Sequence, residues 1–364
     1  MKCRFLFSLA LSYLLAACGA PESPEANASA DVQLSGTAAE RAAQLNLYQQ
    51  ALANGENEVA VYGAASDTPW QPLWREFSRA FPGIRITYLF VSPAQAMARL
   101  DAEGATGKRY ADILLQSQIA IPDIASKGYL TAWRPPTVGE LDEHFIVPGN
   151  YAFSPFSKVY GLAYNTEHVR PEELPHDFEQ LLEPRWQGRI GFLSPLGGAD
   201  VAVATLREHG RISDQQISTL VRHGRPALGS ETGPLELAQG RVDLYLWAYL
   251  TVVTRQQALG GPIAIAFIPD FTFDSPFAVA LVKQAAHPNA ARLFSAWLLS
   301  PHGQRVLAEQ SHMLTNMPGA PKPPFYPQDS AGQAELWPAL PLQQALQETA
   351  EQRNGLRQLF YGQR

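Results

Sequence analysis

The residues best suited to chemistry in this chain sit in short loops of small and hydroxylated residues that follow apolar runs. One is Gly63-Ala64-Ala65-Ser66-Asp67-Thr68-Pro69, and another is Ser194-Pro195-Leu196-Gly197-Gly198-Ala199-Asp200. Such a loop at the start of a helix turns free backbone N–H groups toward negative oxygens, and the helix dipole favours the same charge. Ala65, Ser66 and Asp67 in the first loop, and Ser194, Gly197, Gly198 and Ala199 in the second, are therefore candidate contacts for an anion. Plain helix capping is the alternative for both loops. Gln116 and Ser117 end a third apolar run, and Ser230, Glu231 and Thr232 follow a fourth. Asp67 and Glu231 would cap helices or take a ligand ammonium group. Tyr249 closes the apolar run 242–248, and Tyr164 with Asn165 closes another that is expected to lie near a hinge.

Catalytic patterns are missing from the sequence. It contains no Gly-x-Ser-x-Gly, His-Glu-x-x-His or Gly-x-Gly-x-x-Gly, and Gly104-Ala-Thr-Gly-Lys108 falls short of phosphate-loop spacing. Glu140, Asp142, Glu143 and His144 cluster, but in a stretch that reads as a solvated loop face. Trp133, Tyr245 and Trp247 read first as core residues.

The elements that would position these loops alternate. Strand patterns at 59–62, 84–90 and 110–115 are separated by helical patterns at 69–81 and 93–103, a β-α-β-α-β order that implies a parallel sheet with helices on its faces. Ligands of such sheets bind at the carboxyl ends of the strands, which puts Gly63 to Asp67 and Gln116 to Gln118 on one rim. A second α/β unit follows, with strands at 189–193, 227–229, 242–248 and 263–268 and a capping box at Ser213 and Gln216. Two apolar stretches, 160–166 and 275–283, sit where one unit gives way to the other, and we read them as strands that cross between two lobes. The expected division is 37–160 with 275–330 as lobe I, 164–270 as lobe II, and 331–364 as a helical tail.

The amino terminus reads as a processing segment. Lys2 and Arg4 precede an apolar run at 5–15, too short to span a bilayer as a mature helix, which ends in Leu15-Ala16-Ala17-Cys18. Small residues before a cysteine suit a lipoprotein signal peptidase. Residues 1–17 would then be a signal peptide, Cys18 the lipidated first residue, and 18–36 a tether. Each buried acyl methylene would contribute about 0.8 kcal/mol to anchoring. Cys3 and Cys18 are the two cysteines, so the remaining domain would hold no thiol or disulfide. Two positive charges lost from a net −6 leave −8, and no basic stripe marks a nucleic-acid partner. The 46% apolar content supports substantial cores.

Several stretches carry a family likeness in order: Val59-Ala-Val-Tyr-Gly with the 70–81 helix and Pro82-Gly83-Ile84; Gly107-Lys-Arg-Tyr-Ala-Asp112; Tyr160-Gly-Leu-Ala-Tyr-Asn-Thr166; Leu181-Leu-Glu-Pro-Arg-Trp-Gln-Gly-Arg-Ile190; and His287-Pro-Asn-Ala-Ala-Arg-Leu-Phe to Ser300-Pro-His-Gly-Gln304. Over 55–310 the chain resembles bacterial periplasmic solute-binding proteins of the type II class, in their ferric-iron and phosphonate-like branch. The resemblance implies two lobes joined by hinge strands, a small ligand in the cleft, hinge closure, and docking of the closed form on ABC permease subunits. It implies no cofactor, no catalysis and a monomer. Ferric-binding relatives hold metal through two adjacent tyrosines. Here Asp243-Leu-Tyr-Leu-Trp-Ala-Tyr-Leu-Thr251 lacks that pair, and Tyr249 is the candidate if the cargo were ferric iron. The leading expectation is therefore an anionic organic or phosphorus-containing solute. Ferric iron, a ligand-presenting sensor lipoprotein and a cell-envelope enzyme on the same fold are the alternatives.

Overall fold

The computed structural model describes residues 32–65, 68–194, 199, 203, 206–207, 210–227, 229–327, 337–338, 355 and 358–360. The expected helix at 341–360 lies almost wholly outside them.

The strands are β1 (Glu58–Gly63), β2 (Arg85–Phe90), β3 (Ile113–Ser117), β4 (Leu130–Thr131), β5 (Ile146–Val147), β6 (Ala152–Asn165), β7 (Ile190–Leu193), β8 (Arg225–Ala227), β9 (Leu244–Tyr249), β10 (Ile263–Ala266), β11 (Phe273–Val282), β12 (Leu314–Thr315) and β13 (Trp337–Pro338). Eight of them join in one curled path, β2-β1-β3-β11-β6-β9-β7-β8, while β5, β10 and β12 pair with β6 and β4 and β13 pair with β11. β1 is parallel to β2 and β3, as the alternating pattern predicted, and β7 is parallel to β8 and β9. Between the two parallel groups run β6 and β11, antiparallel to each other and shared by both.

Alternation along the strands builds the lobe I layers. Val59, Val61, Ile113, Leu115, Phe277 and Val279 face one helical layer, which includes Leu73, Phe77, Phe294 and Trp297. Tyr62, Leu114, Ala278 and Ala280 face the other, with Leu100, Ile121 and Ile124. The helix Gln71–Ala80 buries Leu73, Trp74, Phe77 and Ala80, the stripe expected of its sequence. It begins later than its sequence suggested. A 3-10 turn at Thr68–Trp70 precedes it, and Trp70 at the cap position offers no side-chain bond and is itself buried. A third group of core residues gathers around Tyr160, Phe192, Tyr245, Trp247, Phe271 and Phe273, and Leu314, Tyr326 and Phe360 join it.

The strand read at 227–229 sits slightly earlier, at Arg225–Ala227, in register with Gly191 to Leu193 of β7. Ser213 and Gln216 form the capping box the sequence predicts. Tyr245 is a core residue. Its ring lies where a Cβ on Gly233 or Gly191 would stand, 1.8 and 2.7 Å from the nearest ring atoms. Trp247 is fully buried, and Trp133 is partly buried against Phe153.

Candidate ligand-binding site at the lobe junction

β6 is mostly apolar, and Lys158 is its one charged residue. Lys158 pairs with Ser275 of β11, and next to it come the pairs Tyr160–Phe273 and Tyr160–Tyr249. Three aromatic rings from three neighbouring strands therefore stand side by side. Tyr160 stacks on Phe273 at 4.5 Å with 2° between planes, and on Tyr249 at 5.5 Å. The Lys158 ammonium lies 4.1 Å from the centre of the Phe277 ring and 5.9 Å from that of Tyr249. It is thus held by ring faces, one on each side of the junction. Among the described residues no carboxylate comes within ion-pairing distance of it. Burial lowers the Lys158 pKa to about 8, because a desolvated ammonium is disfavoured.

The lobe I wall is built on Phe277. Its ring stacks on Trp70 at 6.1 Å, and Trp70 meets Phe156 edge-on at 5.1 Å. Ser117 at the end of β3 is in register with Phe277, and its hydroxyl is buried with no hydrogen bond. Gln116 is a strut. Its Nε2 donates to the Tyr62 and Val91 carbonyls, both at 3.3 Å, while its Oε1 is buried without a partner. Ala65 is fixed by Tyr88, whose hydroxyl donates to the Ala65 carbonyl at 2.5 Å and accepts from its N–H at 3.3 Å. The Tyr88 ring occupies the space over Gly63 that any Cβ would fill. Ser66 and Asp67 lie outside the described residues.

The lobe II wall ends at Tyr249. Its hydroxyl is buried and unpartnered, the neighbouring Thr251 hydroxyl donating instead to the His312 carbonyl at 2.7 Å. Burial raises the Tyr249 pKa, so the phenol is protonated. Ser194, at the carboxyl end of β7, is fully buried, and its hydroxyl also lacks a partner. Ala199 is buried and donates its N–H to the Ser194 carbonyl at 3.2 Å. Gly197 and Gly198 lie outside the described residues. Ser230 and Glu231 are half-buried, and Thr232 is exposed, its hydroxyl spent on the Gly229 carbonyl at 3.0 Å. Glu231 faces Arg255 at 3.8 Å, on the helix that starts after Tyr249.

Tyr164 and Asn165 require a correction. They are not near the junction. Tyr164 pairs with Leu244, at the opposite end of β9 from Tyr249. Asn165 is buried with its side chain fully engaged. Its Nδ2 donates to the Leu237 carbonyl and its Oδ1 accepts from the Glu167 N–H, both at 2.9 Å. It folds the turn after β6, with both polar side-chain atoms held within the fold. The crossing itself lies earlier, at Phe156 to Tyr160. Lys158 is the junction residue that sequence reading passed over, and Tyr160 was read as the start of a crossing strand but not as a site residue. The signal was a lone lysine in a long apolar strand.

The carboxyl ends of β1, β3, β7 and β9 and the middle of the crossing strands thus converge on one rim, which carries an unpaired cation and several buried hydroxyls without partners. Comparisons with known proteins agree with that architecture. The family model for bacterial extracellular solute-binding proteins matches residues 59–311. An uncharacterised protein of Haemophilus influenzae is 22% identical over 286 residues, 72% of this chain and 78% of that protein. The fold is similar to iron-bound HitA from Pseudomonas aeruginosa, with TM-score 0.69, 21% identity and coverage of 84% of this chain and 98% of that one. It is also similar to AfuA from Actinobacillus pleuropneumoniae with fructose-6-phosphate bound, at TM-score 0.65, 16% identity and coverage of 82% and 96%. Among the described residues no helix is long and apolar enough to cross a membrane. The chain belongs to the bacterial extracellular solute-binding protein family and has its two-lobed α/β fold.

Proposed function

We propose that this chain captures a small anionic solute, an organic phosphate or phosphonate in first place, in the cleft beside Lys158, and hands it to ABC permease subunits. In this reading Cys18 is lipidated and holds the protein at the periplasmic face of a membrane, and the protein works as a monomer without catalysis of its own. The observation that carries the anion is Lys158. An ammonium taken out of water is costly, and ring faces compensate it by only about 0.5–2 kcal/mol. An anion arriving between the lobes supplies the missing partner. The unpaired Ser117, Ser194 and Tyr249 hydroxyls would donate to its oxygens. The Ala65, Ser194 and Ala199 N–H groups are used within the fold, so backbone donors would come from Ser66, Asp67, Gly197 and Gly198. Glu231 and Asp67 remain candidates for a cationic part of the ligand.

Ferric iron suits this site less well. A hard trivalent cation needs several anionic oxygens. Tyr249 is a phenol kept protonated by burial, with an ammonium over its ring. Binding is tested by thermal shift and calorimetry on the purified protein with inorganic phosphate, fructose 6-phosphate, a phosphonate and ferric citrate. A ligand at one hundred times its Kd adds about 2.7 kcal/mol to stability. The expected result is a shift with a phosphate or phosphonate that is lost in Lys158→Gln. A shift with ferric citrate that survives Lys158→Gln overturns the anion reading.

A further inference from the structure

The lobes meet at a third place besides β6 and β11. After the helical turns Pro301–Arg305 and Val306–Gln310, the chain passes from one core to the other within two residues: Met313 is buried with the lobe I group and Leu314 with the group around Tyr160. The backbone is still tied to the lobe I side there, with the Ser311 N–H donating to the Val306 carbonyl and the Met313 N–H to the Leu307 carbonyl, at 3.0 and 2.9 Å. β12 then pairs with β6 at Phe156 and Ser157, the level at which β11 pairs on its other edge through Phe277 and Pro276. Asn316 clamps that stretch. Its Nδ2 donates to the Ser154 carbonyl at 3.0 Å, its N–H to the Pro155 carbonyl at 3.0 Å, and its Oδ1 lies 3.1 Å from the Ser157 hydroxyl.

His312 stands at the passage. Its φ is +55°, a region unfavourable for most residues other than glycine. Its carbonyl accepts from the Thr251 hydroxyl, and its Nδ1 lies 3.2 Å from the Thr254 hydroxyl. The Thr254 hydroxyl also reaches the Leu250 and Thr251 carbonyls, at 3.0 and 3.2 Å, and with its proton on either of them its oxygen is free to accept from the imidazole. Both contacts fall on the first turns of the helix Leu250–Ala258, the helix that begins at Tyr249 and carries Arg255. Further along, Tyr326 packs on Phe267 at 5.4 Å and Phe360 on Phe192 at 5.8 Å, on the same side as Tyr249.

We propose that Ser311–Asn316 is a third hinge connection and that His312 is a positioning residue. By holding Thr251 and Thr254 from the lobe I side, it sets the angle at which Tyr249 and Arg255 are presented across the cleft before ligand arrives. The role assigned to Tyr249 rests on the cleft reading above, whereas the hinge itself does not depend on the ligand.

The test separates the two. Spin labels are placed at Lys127→Cys and Arg222→Cys, both exposed positions on opposite lobes, in the full chain with Cys3→Ser and Cys18→Ser. Interlobe distance distributions are then measured without ligand. Thr251→Val removes the hydroxyl at nearly constant volume. His312→Gly keeps the left-handed backbone without the ring, and His312→Asn tolerates that backbone and retains a donor. The expected result is a broader distribution, with a new longer-distance population, in Thr251→Val and His312→Gly, and one close to the parent in His312→Asn. Unchanged distributions in Thr251→Val and His312→Gly, with the fold retained by circular dichroism, overturn the proposal. Titration with inorganic phosphate is the second readout. Broadened distances with phosphate affinity unaltered would keep the hinge and remove Tyr249 from the binding site.

Discussion

The middle and the carboxyl end of β6 carry polar residues of opposite character. At Asn165 every side-chain atom capable of bonding is used, and the backbone N–H donates to the Asp243 carbonyl at 3.0 Å. At Lys158 the charge is met only by ring faces, and the orphan hydroxyls of Ser117 and Tyr249 belong to the same stretch of rim. Both residues are polar groups in an apolar strand, so polarity alone marks neither as functional. What separates them is satisfaction. A satisfied buried amide stabilises one fold, and a desolvated cation without an anionic partner favours binding of one.

That contrast can be broken by substitution. Lys158→Gln should have the largest effect on binding. Removing one partner of a desolvated charge pair costs about 2–5 kcal/mol, so phosphate or phosphonate affinity should fall roughly 30-fold or more, with the unfolding midpoint unchanged or raised. Calorimetry and urea melts read the two quantities. Asn165→Ala should do the reverse. It removes the Asn165 bonds to the Leu237 carbonyl, which keeps the Gly240 N–H as a partner, and to the Glu167 N–H, costing about 1–3 kcal/mol of stability in all, with affinity in the folded fraction preserved. An affinity loss in Asn165→Ala larger than in Lys158→Gln would invert the assignment. Tyr249→Phe should be gentler, lowering affinity by about 0.5–1.5 kcal/mol while leaving the free protein as stable as before, since the hydroxyl has no partner to lose.

The most diagnostic effect is in pH. The ammonium of Lys158 titrates at about 8 in the fold against an ordinary 10.5. Between those values the unfolded chain binds more protons than the folded one, so stability of the free protein rises with pH across about 8 to 10.5. Below pH 8 the desolvation penalty is fully present. Anion affinity moves the other way, falling as pH climbs through 8 and the charge is lost. In Lys158→Gln both trends should flatten, which pH-stepped melts and titrations would register.

Much of the frame was legible in residues. The alternating pattern at 84–90 and the strand patterns at 59–62 and 110–115 are local signals, and they give the parallel lobe I sheet, although the third strand runs 113–117. The crossing pair was legible because two apolar strands sat at the unit boundaries. Which end of β6 faces the cleft was not legible. It follows from the register with β9, where Tyr160 meets Tyr249 and Tyr164 meets Leu244, and register is fixed by contacts far apart in the chain. His312 was hidden for the same reason, since its partners Thr251 and Thr254 precede it by some 60 positions. Ser66, Asp67, Gly197 and Gly198 were chosen on loop chemistry and lie outside the described residues, so they remain proposals.

The place of β11 in the sheet has a consequence for the order of folding. It is inserted between β3 and β6, yet it is made after every strand of the second lobe. Until residues 273–282 exist, β3 has a bare edge, and Leu114, Ala152 and Phe156 lack their neighbours. The first lobe to be synthesised therefore cannot be the first to finish, and long-range closure of this kind is slow. A nascent chain up to residue 272 should stay loose and protease-sensitive through its first half, and should tighten only once β11 has slid into its slot.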